Sequence, residues 1–380
     1  DLFPSVDVPR LQDKNFEALI KKSLIEQRLQ PEDSYILKIV QFEELLQIRH
    51  SVFILGSAAV GKTKCWNTLA ETYKLQGKKI QYQVISPKSI TTRELYGYIH
   101  PASREWKDGI FSTIMRDLVA IPNQEPKWIV LDGDIDALWV ESLNTVMDDN
   151  KILTLASNER IPLMPYMRLV FEIGDLKYAS PATVSRAGII YINESDVGWL
   201  AYSASWVEKR ESSLERSTLT VLFEKYLPPV LEAMKKVLKS VTPICDMSIV
   251  QTVCRLMDAL MEEYYASPAC KVNLANAQLI QQAQAGGSSG EGKVVDYLKD
   301  VIEYFFIFAV VWAAGGVMFK DQLVDHRRQF SKFWRSEFSK GLVFPTTGEV
   351  FDYYVAVNDE TGEPRWQTWD DRLTPYVHDP

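Results

Sequence analysis

The octapeptide Gly56–Thr63, GSAAVGKT, constrains the fold more than any other segment of this chain. It matches the pattern G-x-x-x-x-G-K-[ST], follows an apolar run and opens a segment with helical periodicity. Glycines let successive N–H groups point into one hollow, and the N-terminus of a following helix attracts anions. The pattern therefore predicts a loop that binds the phosphates of a nucleotide. The predicted phosphate-binding residues are Gly56, Ser57, Ala58, Ala59, Val60, Gly61, Lys62, Thr63 and Lys64.

Three side chains have specific predicted roles around this loop. Lys62 is expected to reach the β- and γ-phosphates, and the Thr63 hydroxyl to ligate Mg²⁺. A carboxylate at the end of an apolar strand is also needed to hold the magnesium shell, partly through water, and Asp132 ends the run KWIVLD. The predicted cofactors are therefore ATP, or ADP, with Mg²⁺.

The residue after Asp132 predicts slow hydrolysis. Many ATPases with this loop place a glutamate there, where it activates the attacking water, but this chain has Gly133. A positioned general base is worth roughly 10²–10⁴-fold in rate. The alternative interpretation is that Asp134 or Glu141 takes this role through a bent loop.

The pattern of apolar residues in the first half predicts an α/β fold, with a parallel sheet flanked by helices on both faces. Two short alternating runs within Lys151–Leu163 additionally indicate a hairpin. The predicted strands are Ser51–Leu55, Ile80–Ile85, Lys127–Asp132, Met167–Ile173 and Gly188–Ile192. The predicted helices are Asn15–Leu29, Ser34–Gln47, Thr63–Leu75, Trp139–Met147 and Ser180–Ala187.

After about Trp199 the pattern changes to amphipathic helices, which predicts a smaller all-helical lid subdomain. The resulting organisation is an α/β nucleotide-binding subdomain over 1–198, a helical lid over 199–345 and a C-terminal extension over 346–380. The predicted lid helices are Ser213–Leu238, Ser248–Tyr265 and Val294–Phe338. Gln281–Gly292 is expected to be a flexible loop or linker, and Val350–Val357 a strand.

Composition narrows the classes of function. The formal net charge of −8 argues against nucleic acid or an anionic membrane as the main partner. The cysteines lack C-x-x-C spacing and the histidines lack metal-ligand spacing, so a zinc site is not expected. Four cysteines in a chain of this length do not suggest a disulfide framework, so we expect a reducing, intracellular compartment. No signal peptide is visible. The uncharged run Tyr304–Phe319 is shorter than the roughly 20 residues of a membrane span, which favours a buried core helix.

Several longer motifs resemble the AAA+ modules of dynein heavy chains. The opening DLFPSVDVPR resembles the start of the second module of the motor ring, and QLVDHRRQFSKFW resembles that module's closing helical part. The likeness is to axonemal outer-arm heavy chains, through the motifs LDGDID and NTVMDDNKILTLASNERIPL. Further matching motifs are SREWKDGIFSTIMRDL and SPATVSRAG.

The resemblance implies roles for residues outside the loop. Arg186 matches the family's arginine finger, which acts on the neighbouring hydrolytic module; the alternative is a helix-surface arginine paired with a carboxylate. Val8 and Pro9 match the segment near adenine, with an ordinary loop proline as the alternative. The residue that senses the γ-phosphate in this family should end the strand Leu169–Ile173 and is commonly a polar residue such as asparagine. The candidates in this chain are Gly174 and Asp175.

The resemblance also implies partners and location. The module would bind ATP with little hydrolysis, brace the ring and contact neighbouring AAA+ modules of the same heavy chain. Intermediate and light chains and microtubules would be partners through the parent chain, in the cytoplasm and the axoneme of a cilium or flagellum, as part of the cytoskeleton. The alternatives are a self-sufficient AAA+ ATPase that uses another carboxylate, and a scaffold module with an empty pocket.

Overall fold

The structure, a computed structural model, describes residues 13–286 and 295–374, with the side chains of 281–286 excepted. The chain divides into one unit that ends at Ala201 and another that begins at Tyr202. The opening segment, including Val8 and Pro9, lies outside the described residues.

The first unit is built on a parallel sheet. Its strands and hairpin strands are β1 (Ser51–Leu55), β2 (Gln81–Ile85), β3 (Gly97–Ile99), β4 (Trp106–Asp108), β5 (Lys127–Asp132), β6 (Ile152–Thr154), β7 (Arg160–Pro162), β8 (Met167–Ile173) and β9 (Gly188–Tyr191). In the described part of this unit, five strands form the parallel sheet in the order β2-β5-β8-β1-β9. The pairs β3–β4 and β6–β7 are antiparallel hairpins, the second of which confirms the hairpin predicted within Lys151–Leu163.

Helices cover both faces of this sheet, as predicted. The helices of this unit are α1 (Lys14–Glu26), α2 (Asp33–Ile48), α3 (Lys62–Leu75), α4 (Thr92–Tyr96), α5 (Ile110–Ala120), α6 (Ala137–Val140), α7 (Asn144–Met147) and α8 (Pro181–Arg186). Helix α9 (Glu194–Glu208) begins in this unit and ends in the next. Val52 and Ile54 of β1 pack in the core formed with α1, α2 and α3, whereas Phe53 and Leu55 pack in the core formed with α5 and α7. Alternation along a strand buried on both faces explains why β1 reads as a continuous apolar run.

The second unit is mainly helical. Its elements are α10 (Ser213–Lys236), α11 (Asp246–Ala266), α12 (Pro268–Gly286), α13 (Leu298–Gly315), α14 (His326–Glu337), β10 (Tyr353–Val357) and β11 (Pro364–Thr368). Helix α13 packs against α10 and α11 and contains most of the run Tyr304–Phe319, which confirms the prediction of a core helix. A search of the described residues finds no helix that is long and apolar enough to cross a membrane.

Some predicted boundaries in this unit are wrong. The helix predicted over Val294–Phe338 is divided between α13 and α14, because the Asp325 side chain caps a new helix by accepting from the N–H groups of Arg327 and Arg328. The predicted linker Gln281–Gly292 begins within α12, which continues to Gly286, and its remainder lies outside the described residues.

Other elements were not predicted or begin elsewhere. The strand predicted over Val350–Val357 starts at Tyr353, after a short 3-10 turn. The β3–β4 hairpin, α5 and α12 were not predicted. The hairpin strands are only three residues long, too short for a clear alternation of polar and apolar residues.

Candidate nucleotide-binding site

The predicted phosphate-binding loop joins β1 to α3, as the sequence pattern requires. Gly56 has φ +155°, and an added Cβ atom would lie 2.5 Å from the carbonyl oxygen of Ile192. Gly61, with φ +95°, precedes α3, and no side chain caps the N-terminus of that helix. The hydroxyl of Tyr35 donates to the Gly61 carbonyl oxygen at 2.7 Å, which ties the loop to α2. The N–H groups of the first turn, including those of Lys62 and Thr63, are therefore suited to bind an anion.

The ammonium group of Lys62 folds back over the loop. Its Nζ atom donates to the carbonyl oxygens of Gly56 and Ser57, each at 2.8 Å. Partial burial lowers the pKa of Lys62 from its usual value, and the nearby carboxylates of Glu172 and Asp132 oppose that shift. Lys64, also predicted as part of the site, lies exposed on the first turn of α3.

Glu172 is a further member of this site, and no sequence motif indicated it. It lies in β8, directly beside Asp132 in the register of β5 and β8, and is 8% exposed. Its Oε1 atom accepts a hydrogen bond from the Thr63 hydroxyl at 2.5 Å, and its Oε2 atom accepts one from Trp66 Nε1 at 3.1 Å. The signal for it was a carboxylate inside the otherwise apolar run Met167–Ile173. Buried carboxylates are rare unless they are paired or hydrogen-bonded.

The residues after Asp132 form hydrogen bonds between the end of β5 and the end of β8. The N–H group of Gly133 donates to the carbonyl oxygen of Glu172 at 3.1 Å, and Asp134 Oδ1 accepts from the N–H group of Gly174 at 3.1 Å. Asp134 therefore has a structural contact at the end of β8. Glu141 lies exposed on a 3-10 turn between α6 and α7.

The two residues that follow β8, which are the candidates for sensing the γ-phosphate, make local contacts. Gly174 has no side chain, and its N–H group contacts Asp134. Asp175 Oδ1 accepts from the N–H group of Lys177 at 2.9 Å, a local turn contact. Within β8 itself, the side chain of Glu172 contacts Thr63.

The oxygen donors at the loop suit magnesium rather than a softer metal. Thr63 offers a hydroxyl and Asp132 an exposed carboxylate, and Mg²⁺ is commonly held by one or two carboxylates together with substrate phosphates. No group of three or more His, Cys, Asp or Glu side chains that could hold a metal by itself occurs among the described residues. These residues therefore fit a metal that is bound together with the nucleotide.

Arg186, the last residue of α8, is paired with a carboxylate. Its Nε atom donates to Asp148 Oδ1, and its Nη1 atom donates to the carbonyl oxygen of Ala182 at 2.6 Å. The side chain is 27% exposed. This arrangement is that of a helix-surface arginine paired with a carboxylate, and the side chain remains partly exposed.

A parallel sheet that carries this loop between β1 and α3, with an acidic residue at the end of β5, defines a P-loop nucleotide-binding domain. Comparison with protein families assigns the chain more narrowly. Residues 51–187 match the family described as AAA domain (dynein-related subfamily), and residues 219–371 match the dynein heavy chain AAA lid domain. Residues 1–63 match the hydrolytic ATP binding site of dynein motor region. The chain belongs to the dynein heavy chain family, as an AAA module followed by its helical lid.

Individual relatives agree with this assignment. The chain is 47% identical over 380 residues to dynein axonemal heavy chain 9 of Homo sapiens and 48% identical over 380 residues to the ciliary dynein beta chain of Heliocidaris crassispina. It is 43% identical over 382 residues to the flagellar outer arm dynein beta chain of Chlamydomonas reinhardtii. Each match covers 100% of this chain but 8% of the relative.

Proposed function

We propose that this chain is the second AAA+ module of an axonemal dynein heavy chain and holds ATP with Mg²⁺ while hydrolysing it slowly. The observation that carries the proposal is the combination of a complete phosphate-binding loop with Gly133 after Asp132. The loop offers main-chain N–H groups, the Lys62 ammonium and the Thr63 hydroxyl to a triphosphate. The position that usually supplies a base for water carries no side chain.

Within a motor ring, such a module would contribute by keeping its nucleotide bound. A retained nucleotide stabilises the folded module by mass action, so it braces the ring without repeated turnover. Arg186 would act as an arginine finger at the adjoining hydrolytic module. Its position at the end of α8 and its partial exposure support this role.

The names of the relatives support the wider setting. They are described as axonemal, ciliary and flagellar outer arm dyneins, so we place this module in the axoneme of a cilium or flagellum. Its direct partners would be neighbouring AAA+ modules of the same heavy chain. Microtubules and the intermediate and light chains would be reached through the rest of that chain.

One observation favours a second candidate, a self-sufficient ATPase. The family matched by residues 1–63 is described as a hydrolytic ATP binding site. That match ends at Thr63 and does not include Asp132 or Gly133, where the capacity for hydrolysis is decided. Asp134 is one carboxylate that could replace the missing base, and it is hydrogen-bonded to Gly174.

Titration calorimetry and a single-turnover assay on the 380-residue chain separate these functions. We expect ATP with Mg²⁺ to bind and to raise the melting temperature, while phosphate release stays roughly 10²–10⁴-fold slower than in an AAA+ module with a glutamate after the aspartate. Release near one per second that is abolished in Asp134→Asn or Glu141→Gln would establish the self-sufficient ATPase instead. Absence of both heat and thermal stabilisation at millimolar ATP would indicate an empty scaffold module.

A further inference from the structure

Glu172 occupies an unusual place for a carboxylate. It lies in β8, between β5 and β1 at the centre of the sheet, where the flanking residues Phe171 and Ile173 are buried apolar side chains. A buried charge in such a place is destabilising unless fixed donors compensate it. Here both carboxylate oxygens are occupied, by Thr63 and Trp66.

The donors come from one helix. Thr63 and Trp66 are three residues apart in α3, so their side chains lie on the same side of that helix. Trp66 is 4% exposed and its ring packs edge-on against Tyr82, which fixes the direction of its N–H group. Glu172 is therefore held in a single orientation through both of its oxygens, with the hydroxyl of Thr63 as one of its partners.

This geometry determines what the Thr63 hydroxyl can do. A hydroxyl has one proton to donate and two lone pairs. Because the proton of Thr63 is directed at Glu172, the lone pairs face away from the buried carboxylate. Thr63 itself is exposed, whereas Glu172 is buried, so those lone pairs are accessible where a metal-bound nucleotide would lie.

We propose that Glu172 is a positioning residue that fixes the Thr63 hydroxyl as a magnesium ligand, and that Trp66 locks Glu172 in place. This inference rests on the proposed function of the loop. Glu172 does not serve as the missing base for water, because its two oxygens are already engaged by the donors of α3. Glu172 contributes to the binding of the metal ion, so its effect is measured as the increase in ATP affinity that Mg²⁺ provides.

The test compares ATP affinity in excess Mg²⁺ with affinity in EDTA, by titration calorimetry on the 380-residue chain. In Glu172→Gln, an amide replaces one carboxylate oxygen, so it cannot accept from both Thr63 and Trp66. We expect the gain in ATP affinity that Mg²⁺ provides to fall roughly tenfold or more, because the loss of a hydrogen bond to a charged group changes an affinity by about that factor. Affinity in EDTA should be unchanged or higher, since a negative charge near the triphosphate is removed.

Further variants separate positioning from a general effect of charge or fold. Trp66→Phe keeps the charge of Glu172 but releases one oxygen, so it should reduce the magnesium-dependent gain in the same direction and to a smaller extent. Glu71→Gln, the same charge change further along α3, should leave the gain unaltered; Glu71 pairs with Lys74. In a Thr63→Val background, Glu172→Gln should have little additional effect, because the hydroxyl it positions is gone.

Several outcomes would overturn the proposal. An unchanged magnesium-dependent gain in both Glu172→Gln and Trp66→Phe would refute it. A loss of residual phosphate release in Glu172→Gln with no change in the gain would make Glu172 the base instead. Additive effects of Thr63→Val and Glu172→Gln would show that the residues act separately. Failure of the parent chain to bind ATP at all is a different result, because it contradicts the proposed function of the loop.

Discussion

Asp148, which follows α7, accepts a hydrogen bond from the Nε atom of Arg186 at the end of α8. The same guanidinium donates to the carbonyl oxygen of Ala182 at 2.6 Å. Two nitrogens of the guanidinium are thus engaged, and the side chain is 27% exposed. An arginine that is already oriented loses less side-chain entropy when it contacts a phosphate of a neighbouring site.

We expect Arg186→Ala, in a heavy chain that contains this module, to lower ATP turnover at the adjoining hydrolytic module by roughly 10³-fold or more, because fingers supplied in trans have that worth in GTPase examples. Retention of ATP beside Lys62 should not change. Turnover is measured by steady-state phosphate release. Arg116→Ala is the matched control, since Arg116 also pairs with carboxylates, those of Asp108 and Glu159. Equal turnover in the parent and Arg186→Ala would exclude the finger role.

The Nζ atom of Lys62 is expected to exchange its contacts with Gly56 and Ser57 for phosphate oxygens when ATP binds. Lys62→Ala should therefore lower ATP affinity between roughly 10- and 100-fold, the range for charge-assisted hydrogen bonds. Titration calorimetry with ATP and Mg²⁺ measures the change. Lys74→Ala, at the far end of α3, serves as the control. The same affinity in all three proteins would mean that the loop does not bind the nucleotide.

Lys127 contributes to stability from a fully buried position at the start of β5. Its Nζ atom donates to the carbonyl oxygens of Leu118, Ile121 and Asn123 at 2.9, 2.9 and 3.1 Å. Lys127→Met keeps the aliphatic stem but leaves these acceptors unsatisfied. We expect a loss of roughly 2–3 kcal/mol in the free energy of unfolding, measured by urea denaturation.

The control for this change is Lys79→Met, which alters an exposed lysine just before β2. It should change the free energy of unfolding by less than about 0.5 kcal/mol. A Lys127→Met chain as stable as this control would show that water or a rearranged chain satisfies the carbonyl oxygens instead.

His50 should give the folded chain a dependence on pH. Its Nε2 atom lies 3.1 Å from the carbonyl oxygen of Val146, and burial lowers its pKa below the usual value of 6.5. As the pH falls, His50 is therefore protonated in the unfolded chain before it is protonated in the folded chain. The stability that the neutral ring contributes is complete above about pH 6.5 and is lost as the pH falls through the lowered pKa of the folded state.

We accordingly expect His50→Gln to show a smaller fall in melting temperature than the parent between pH 7.5 and pH 5. His100→Gln, in the turn between β3 and β4, provides a comparison at another histidine. Parallel pH profiles for the parent and His50→Gln would contradict the assignment.

The elements that sequence patterns predicted well are those whose signals are local. Strands β1, β5 and β8 have the predicted bounds, because each is a short apolar run ended by polar residues or glycine. The division of Val294–Phe338 into α13 and α14 was missed, since it depends on a cap at Asp325 within a stretch that otherwise has helical periodicity. Local patterns predict where an element can form more reliably than where it stops.

The phosphate-binding loop and its order of strand, loop and helix follow from the sequence alone, because the required backbone conformations and donors are supplied by consecutive residues. Only the tertiary structure placed Glu172 against Thr63, 109 residues away, and Asp148 against Arg186, 38 residues away. Those contacts depend on the register of β8 beside β5 and on how α7 and α8 pack. Such non-local pairing is set by the burial of the whole core, and no short stretch of sequence encodes it.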